Sequence, residues 1–172
     1  MMRGYSGPDG MEVTMTAWKL PPRAKVVEAF TAVADGRVRL EGTGLAAVTS
    51  SGDDKTYDVA WAEDGRTIGA NDNASYWQGY LGYPILAVLI ARGELHAGED
   101  VVQALAGVPW HRINEQFKRD YDAAVAHVLA GLPAGGPDAA AVERAVDDVM
   151  EQLEALDLQR AGRGPRPPKA KN

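Results

Sequence analysis

Apolar and polar residues alternate through Glu12–Trp18, where Val13, Met15 and Ala17 stand against Thr14 and Thr16. That is the period-two pattern of a half-buried strand. Pro21 and Pro22 stop it, and Pro22 can open a helix because the N–H it lacks would be unpaired there. The stripe Val26, Val27, Phe30, Val33 and Ala34 predicts a helix over 22–34 that ends at Asp35-Gly36. Four short strands are predicted next, at 37–41, 45–50, 56–61 and 66–70. Gly42-Thr43-Gly44, Ser51-Gly52-Asp53-Asp54 and Glu63-Asp64-Gly65 separate them with turn chemistry. In 56–61, Tyr57, Val59 and Trp61 share one face and Thr56, Asp58 and Ala60 the other. Strands so close in sequence pair as an antiparallel meander, with the 22–34 helix expected to cover one face.

From Ser75 the period becomes helical. Pro84 is expected to begin a buried helix running to Arg92; its apolar run, about twelve residues from Tyr80 to Ala91, is well short of the roughly 20 a membrane span needs. A short helix near 99–106 ends at Gly107 and Pro109. Trp110, Ile113, Phe117, Tyr121, Val125 and Val128 then predict one apolar face along a helix over 110–129. After a Gly/Pro-rich connection at 132–137, the last helix starts at Asp138, a residue favourable to the helix dipole. It places Val142, Val146, Val149, Leu153 and Leu156 in a coiled-coil-like seam. Two heptads are short for a coil between subunits, so this seam is expected to pack within the chain. The fold class is α+β: a small antiparallel β-meander with one N-terminal helix, followed by a helical C-terminal half packed on the sheet. Residues 1–159 are read as a single domain, mainly strands plus one helix over 1–73 and helical over 74–159. The tail, 160–172, is rich in Gly, Pro and basic residues and is expected to be disordered.

Composition narrows the chemistry. With 172 residues, 45% of them hydrophobic, the chain can bury one core of useful size. It has no cysteine, which excludes disulfides, thiolate zinc sites, iron–sulfur clusters and a cysteine nucleophile. The net charge of −6 averages two unlike regions. All 24 acidic and 13 of the 18 basic residues lie in 1–159, a net of −11, while the last 13 residues hold five basic side chains and no acid. So acidic a body repels nucleic acid and anionic membranes. Only the tail, with Arg160, Arg163, Arg166, Lys169 and Lys171, could neutralise a few phosphates. No secretory signal is recognised in the first ten residues, and a cytoplasmic location is expected.

Residues 71–83, NDNASYWQGYLGY, stand out. Four of the twelve aromatic residues fall between Tyr76 and Tyr83, behind the oxygen-bearing Asn71, Asp72 and Asn73. The segment reads as ordinary strand-to-helix turn chemistry beside buried aromatics, as an interface, or as the rim of a pocket. His111 and Glu115, at i and i+4, can meet on one helix face, but there is no second histidine of an H-E-x-x-H motif. Neither an EF-hand nor a nucleophile-elbow or phosphate-loop motif occurs, so the sequence implies no cofactor, no metal and no catalytic residue. Candidate ligand or interface residues are Asn71, Asp72, Asn73, Tyr76, Trp77, Tyr80, His111 and Glu115.

The leading expectation is a non-enzymatic interaction or assembly module, with a homodimer as the partner arrangement. The alternative is a small-molecule-binding protein or enzyme with its pocket near 71–83. A weak nucleic-acid binder acting through the basic tail is third.

Overall fold

A short strand, β1 (Gly4–Ser6), opens the computed structural model, which describes residues 4–6, 12–52, 54–162 and 164–169. The hydrophobic pattern does not single β1 out. It pairs antiparallel with β2 (Glu12–Ala17), the strand expected from the alternation there. Helix α1 (Arg23–Ala34) starts directly after Pro22. Seven consecutive residues, Val26 to Ala32, are buried, more than any single helix face can supply, so α1 is enclosed on several sides.

The meander forms in the expected order: β3 (Val38–Leu40), β4 (Leu45–Thr49), β5 (Thr56–Trp61) and β6 (Ile68–Ala70). Val48 pairs with Tyr57, Ala46 with Val59, and Val59 with Ala70. In β5, Tyr57 and Val59 are buried while Thr56, Asp58 and Ala60 face out, as period two requires. The β3–β4 turn needs Gly44, since its φ is +80° and a Cβ would sit 2.9 Å from the Trp61 carbonyl oxygen.

A π-helical turn, Ala74–Gln78, leads to α2 (Tyr83–Ala91), which has Pro84 in its first turn. Helix α2 packs across all four strands of the meander and also along α1. The helix that covers the sheet is therefore α2, and the expectation that the 22–34 helix would do so is corrected. The reason is chemical: Pro84 to Ala91 has no polar side chain, so α2 must be covered all round, whereas α1 carries Lys25, Glu28 and Thr31 and needs polar neighbours.

Helix α3 (Glu99–Ala104) is followed by α4 (Trp110–Gln116) and α5 (Tyr121–Ala130). The single helix expected over 110–129 is thus two. Lys118 and Arg119 both take left-handed conformations, φ 51° and 65°, and break it. The break is closed by backbone bonds from Lys118 N to Glu115 O (3.0 Å) and from Arg119 N to Asn114 O (2.8 Å). Asp120 then caps α5, its Oδ1 accepting from Ala123 N at 3.1 Å.

Helix α6 (Ala139–Leu156) is capped by Asp138, whose Oδ1 accepts from Ala141 N at 2.8 Å. Its seam is buried at Val142, Val146, Val149 and Leu153, against α1, α3 and α5 of the same chain. Asp157 turns the chain at φ 47° into β7 (Gln159–Ala161), which pairs antiparallel with β2. The boundary expected at 160 therefore falls inside a strand. Pairing with β2 holds Arg160 in place, and its guanidinium lies 4.5 Å over the Trp18 ring. Residues 164–169 carry no helix or strand. The turn residue Asp53 and the tail residues Arg163 and Lys171 lie outside the described residues. No helix among the described residues is long and apolar enough to cross a membrane.

Enclosure of α2 makes its side chains sensitive to truncation. Leu86, fully buried, is expected to cost about 2–5 kcal/mol when changed to Ala. Leu40, 50% exposed, should stay within about 0.5 kcal/mol on the same change. Urea denaturation of the two variants measures the contrast.

Candidate functional site

The unusual segment is shaped by three side-chain-to-backbone bonds. Asn71 extends the β5–β6 pairing beyond the strand, its Oδ1 accepting from Asp58 N at 2.8 Å. Asp72 starts the π-helical turn, with Oδ2 accepting from Ser75 N at 3.1 Å. The Ser75 hydroxyl oxygen in turn accepts from Gly82 N at 3.3 Å. Backbone bonds from Lys19 N to Gly79 O and from Leu81 N to Lys19 O, each 3.2 Å, tie the far end to the segment after β2. At Gly82 the carboxylate crosses the backbone so closely that a Cβ would lie 2.1 Å from Asp72 Oδ2. Asp72 is only 4% exposed, its Oδ1 has no hydrogen-bond partner, and burial raises its pKa above the usual carboxylate range.

Asp72 lies on the wall of a cleft of about 470 Å³ bounded by α1, the β4–β5 hairpin, the π-helical turn and α4. Its interior is polar. Lys25 and Glu28 of α1 form an ion pair of 2.8 Å, both nearly buried, and Asn114 of α4 donates to the second Glu28 oxygen at 2.7 Å. Burial works against the Lys25 ammonium, but the attraction of Glu28 outweighs it and holds the pKa above that of an ordinary lysine. The same ammonium sits 4.6 Å over the Tyr121 ring. Arg37 donates to Thr49 O at 2.6 Å and approaches Asp35 at 3.7 Å, leaving Nε without a hydrogen bond. Tyr57 and Tyr83 meet edge to face at 6.2 Å. Burial, reinforced by the charge of Asp72, pushes the Tyr57 phenol up to about 12, and burial also raises Tyr83. Both therefore keep their protons and remain O–H donors at neutral pH.

Six of the eight residues singled out by the sequence line this cleft: Asp72, Asn73, Trp77, Tyr80, His111 and Glu115. His111 and Glu115 meet at 3.4 Å on the exposed rim, as their spacing predicts. Trp77 is 57% exposed at the mouth. The other two lie away from the lining. Asn71 is committed to Asp58, and Tyr76 is buried, its ring edge to face with Trp77 at 4.6 Å. Sequence reasoning missed Lys25, Glu28, Arg37, Tyr57 and Asn114, while Tyr83 lies at the end of the segment it singled out. A charged pair at i and i+3 beside the apolar stripe of the helix, Lys25 and Glu28, was the one available signal. Among the described residues no group of three or more His, Asp or Glu side chains is arranged to hold a metal ion.

Residues 18–159, the span that contains every cleft residue, match the family model described as "Uncharacterised conserved protein UCP014422". No curated protein and no solved structure matches the chain.

Two stability effects follow from the Asp72 geometry. Its pKa is raised in the folded state, so the folded protein holds the proton more tightly than the unfolded chain. The stability this confers is complete below the unfolded carboxyl pKa and is lost as pH rises through the folded value. Asp72→Asn should therefore stabilise the protein at neutral pH and gain progressively less as pH falls to the acid side, read by urea denaturation at a series of pH values. Gly82→Ala should destabilise by about 1–3 kcal/mol, because the new methyl displaces the Asp72 carboxylate.

Proposed function

The chain belongs to that family, and we propose that it is a small-molecule-binding protein whose ligand occupies the cleft between α1, α4 and the 71–83 segment. The cleft itself supports this reading. Its volume lies in the range of small-molecule sites, aromatic rings stand at its mouth, and polar groups converge inside. The observation that carries the reading is the convergence of the buried Lys25–Glu28 pair, Asn114, Tyr57 and Tyr83 on one cleft, behind the exposed ring of Trp77.

The assembly module expected from the sequence drew on the α6 seam and the aromatic segment. The seam is covered by helices of the same chain, and the aromatic residues divide between cleft and core. The cleft therefore has the stronger claim. A role for the tail in binding nucleic acid is weakened in the same way, because Arg160 is taken up in β7.

A thermal-shift screen of small polar and aromatic compounds tests the reading, with Trp77→Ala and Asn114→Ala as controls. The expected result is at least one compound that raises Tm of the parent protein and loses most of its effect in both variants. Compounds that stabilise parent and variants alike would place binding elsewhere and refute the reading.

A further inference from the structure

We propose that the ligand is a planar-ring anion, a carboxylate or a phosphate ester. Its ring lies against Trp77 and Tyr80, and its anionic oxygens face Arg37, Tyr57 and Tyr83, with Lys55 and Arg119 nearer the rim. The inference rests on the small-molecule reading above and adds the chemical class.

Charge is the first argument. Residues 1–159 carry a net −11, yet the cleft wall has four basic side chains, Lys25, Arg37, Lys55 and Arg119, against three acidic ones, Glu28, Asp72 and Glu115. The two inner acids are already answered. Glu28 is held by Lys25 and Asn114, and burial favours the uncharged form of Asp72, while Glu115 stands on the exposed rim 3.4 Å from His111. The cations are answered less completely. Arg37 meets Asp35 only at 3.7 Å, without a hydrogen bond at Nε, and among the described residues the side chains of Lys55 and Arg119 make neither a hydrogen bond nor an ion pair. Lys55 is near enough to Asp54 to favour its charged form, but the two do not pair.

Hydrogen-bonding capacity is the second argument. The interior is rich in donors, the Arg37 guanidinium and the Tyr57 and Tyr83 hydroxyls. Lone pairs of a carboxylate or phosphate match such a set, whereas a cationic ligand would meet donors with donors. Shape is the third. Trp77, 57% exposed at the mouth, offers a face on which a planar ring can stack, and Tyr80 stands beside it. Arg119 owes its place at the rim to the left-handed break between α4 and α5, an arrangement of the kind found where backbone strain serves a site.

Isothermal titration calorimetry on the full chain tests this with four probes of one shape: 1-naphthyl phosphate, 1-naphthoate, the neutral 1-naphthamide and the cationic 1-naphthylmethylammonium. At least one anion should bind about tenfold or more tighter than the neutral and cationic probes, and comparison of the two anions distinguishes phosphate from carboxylate. Lys55→Gln/Arg119→Gln, a double change on partly or fully exposed side chains, should weaken the anion about tenfold while leaving Tm unchanged. Arg37→Gln should weaken it further. Asp72→Asn should bind the anion as tightly as the parent or more tightly, since it removes a latent negative charge. Tighter binding of the ammonium or amide probe, or a large loss of anion affinity in Asp72→Asn, would overturn the anionic assignment. If those probes nonetheless depend on Trp77, the small-molecule reading would survive. Failure of all four probes would overturn the assignment, and the thermal-shift screen then judges the broader reading separately.

Discussion

The structure depends on the enclosure of α2. From Pro84 to Leu89 every residue is apolar and buried, and the fold supplies cover by laying the helix on all four strands of the meander and bringing α1 along it. Once α1 is committed to that role, several of its sides are buried, including the turn that carries Lys25 and Glu28. A buried ion pair is stable only where geometry and further hydrogen bonds replace water. Asn114 and the Tyr121 ring, contributed by α4 and the start of α5, perform that replacement. The cleft is thus a by-product of satisfying charges that the packing of α2 forced inside.

A second close fit sets the opposite wall. Asp72 and Gly82 approach so nearly that the chain returns at the start of α2 against the carboxylate itself. Together with the Ser75 bond, this fixes where the π-helical turn can run and hence where Trp77 and Tyr80 stand. One oxygen of Asp72 is spent on that local geometry and the other is left unpartnered. The residue therefore shapes the turn and stands on the cleft wall at once, so the turn reading and the pocket-rim reading of Asn71, Asp72 and Asn73 do not exclude each other.

Elements governed by local periodicity were legible in the sequence. Tyr57, Val59 and the turn residues on either side were enough for β5, and Asp138 with the Val142–Leu153 seam was enough for α6. The division of α4 from α5 was not legible, because Phe117 and Tyr121 keep helical spacing across the break and Lys118 and Arg119 are not residues that announce a positive φ. Strand β7 was hidden for a related reason: Gln159, Arg160 and Ala161 show no alternation and become a strand only because β2 is there to pair with them. For the site, the aromatic segment was visible because it is contiguous. Lys25, Glu28, Arg37 and Asn114 come from three separate stretches, and nothing in a linear pattern tells that tertiary packing will gather them.

Strand β2 sits between β1 and β7, so residues from the two ends of the chain share one small sheet. Met15 waits for Ala161 as its partner, across almost the whole length of the described fold. During synthesis on the ribosome, the meander and the helices around α2 can assemble as they emerge, but this sheet cannot close until residues 159–161 are free. The backbone bond from Trp18 to Leu158 and the bond from Gln159 to Arg66 are formed in the same late event. The segment at Lys19 that holds Gly79 and Leu81 lies next to that closure. Lys19 can reach Gly79 and Leu81 earlier, but a nascent chain stopped short of β7 would lack the bond from Trp18 to Leu158 that anchors that segment from its other side.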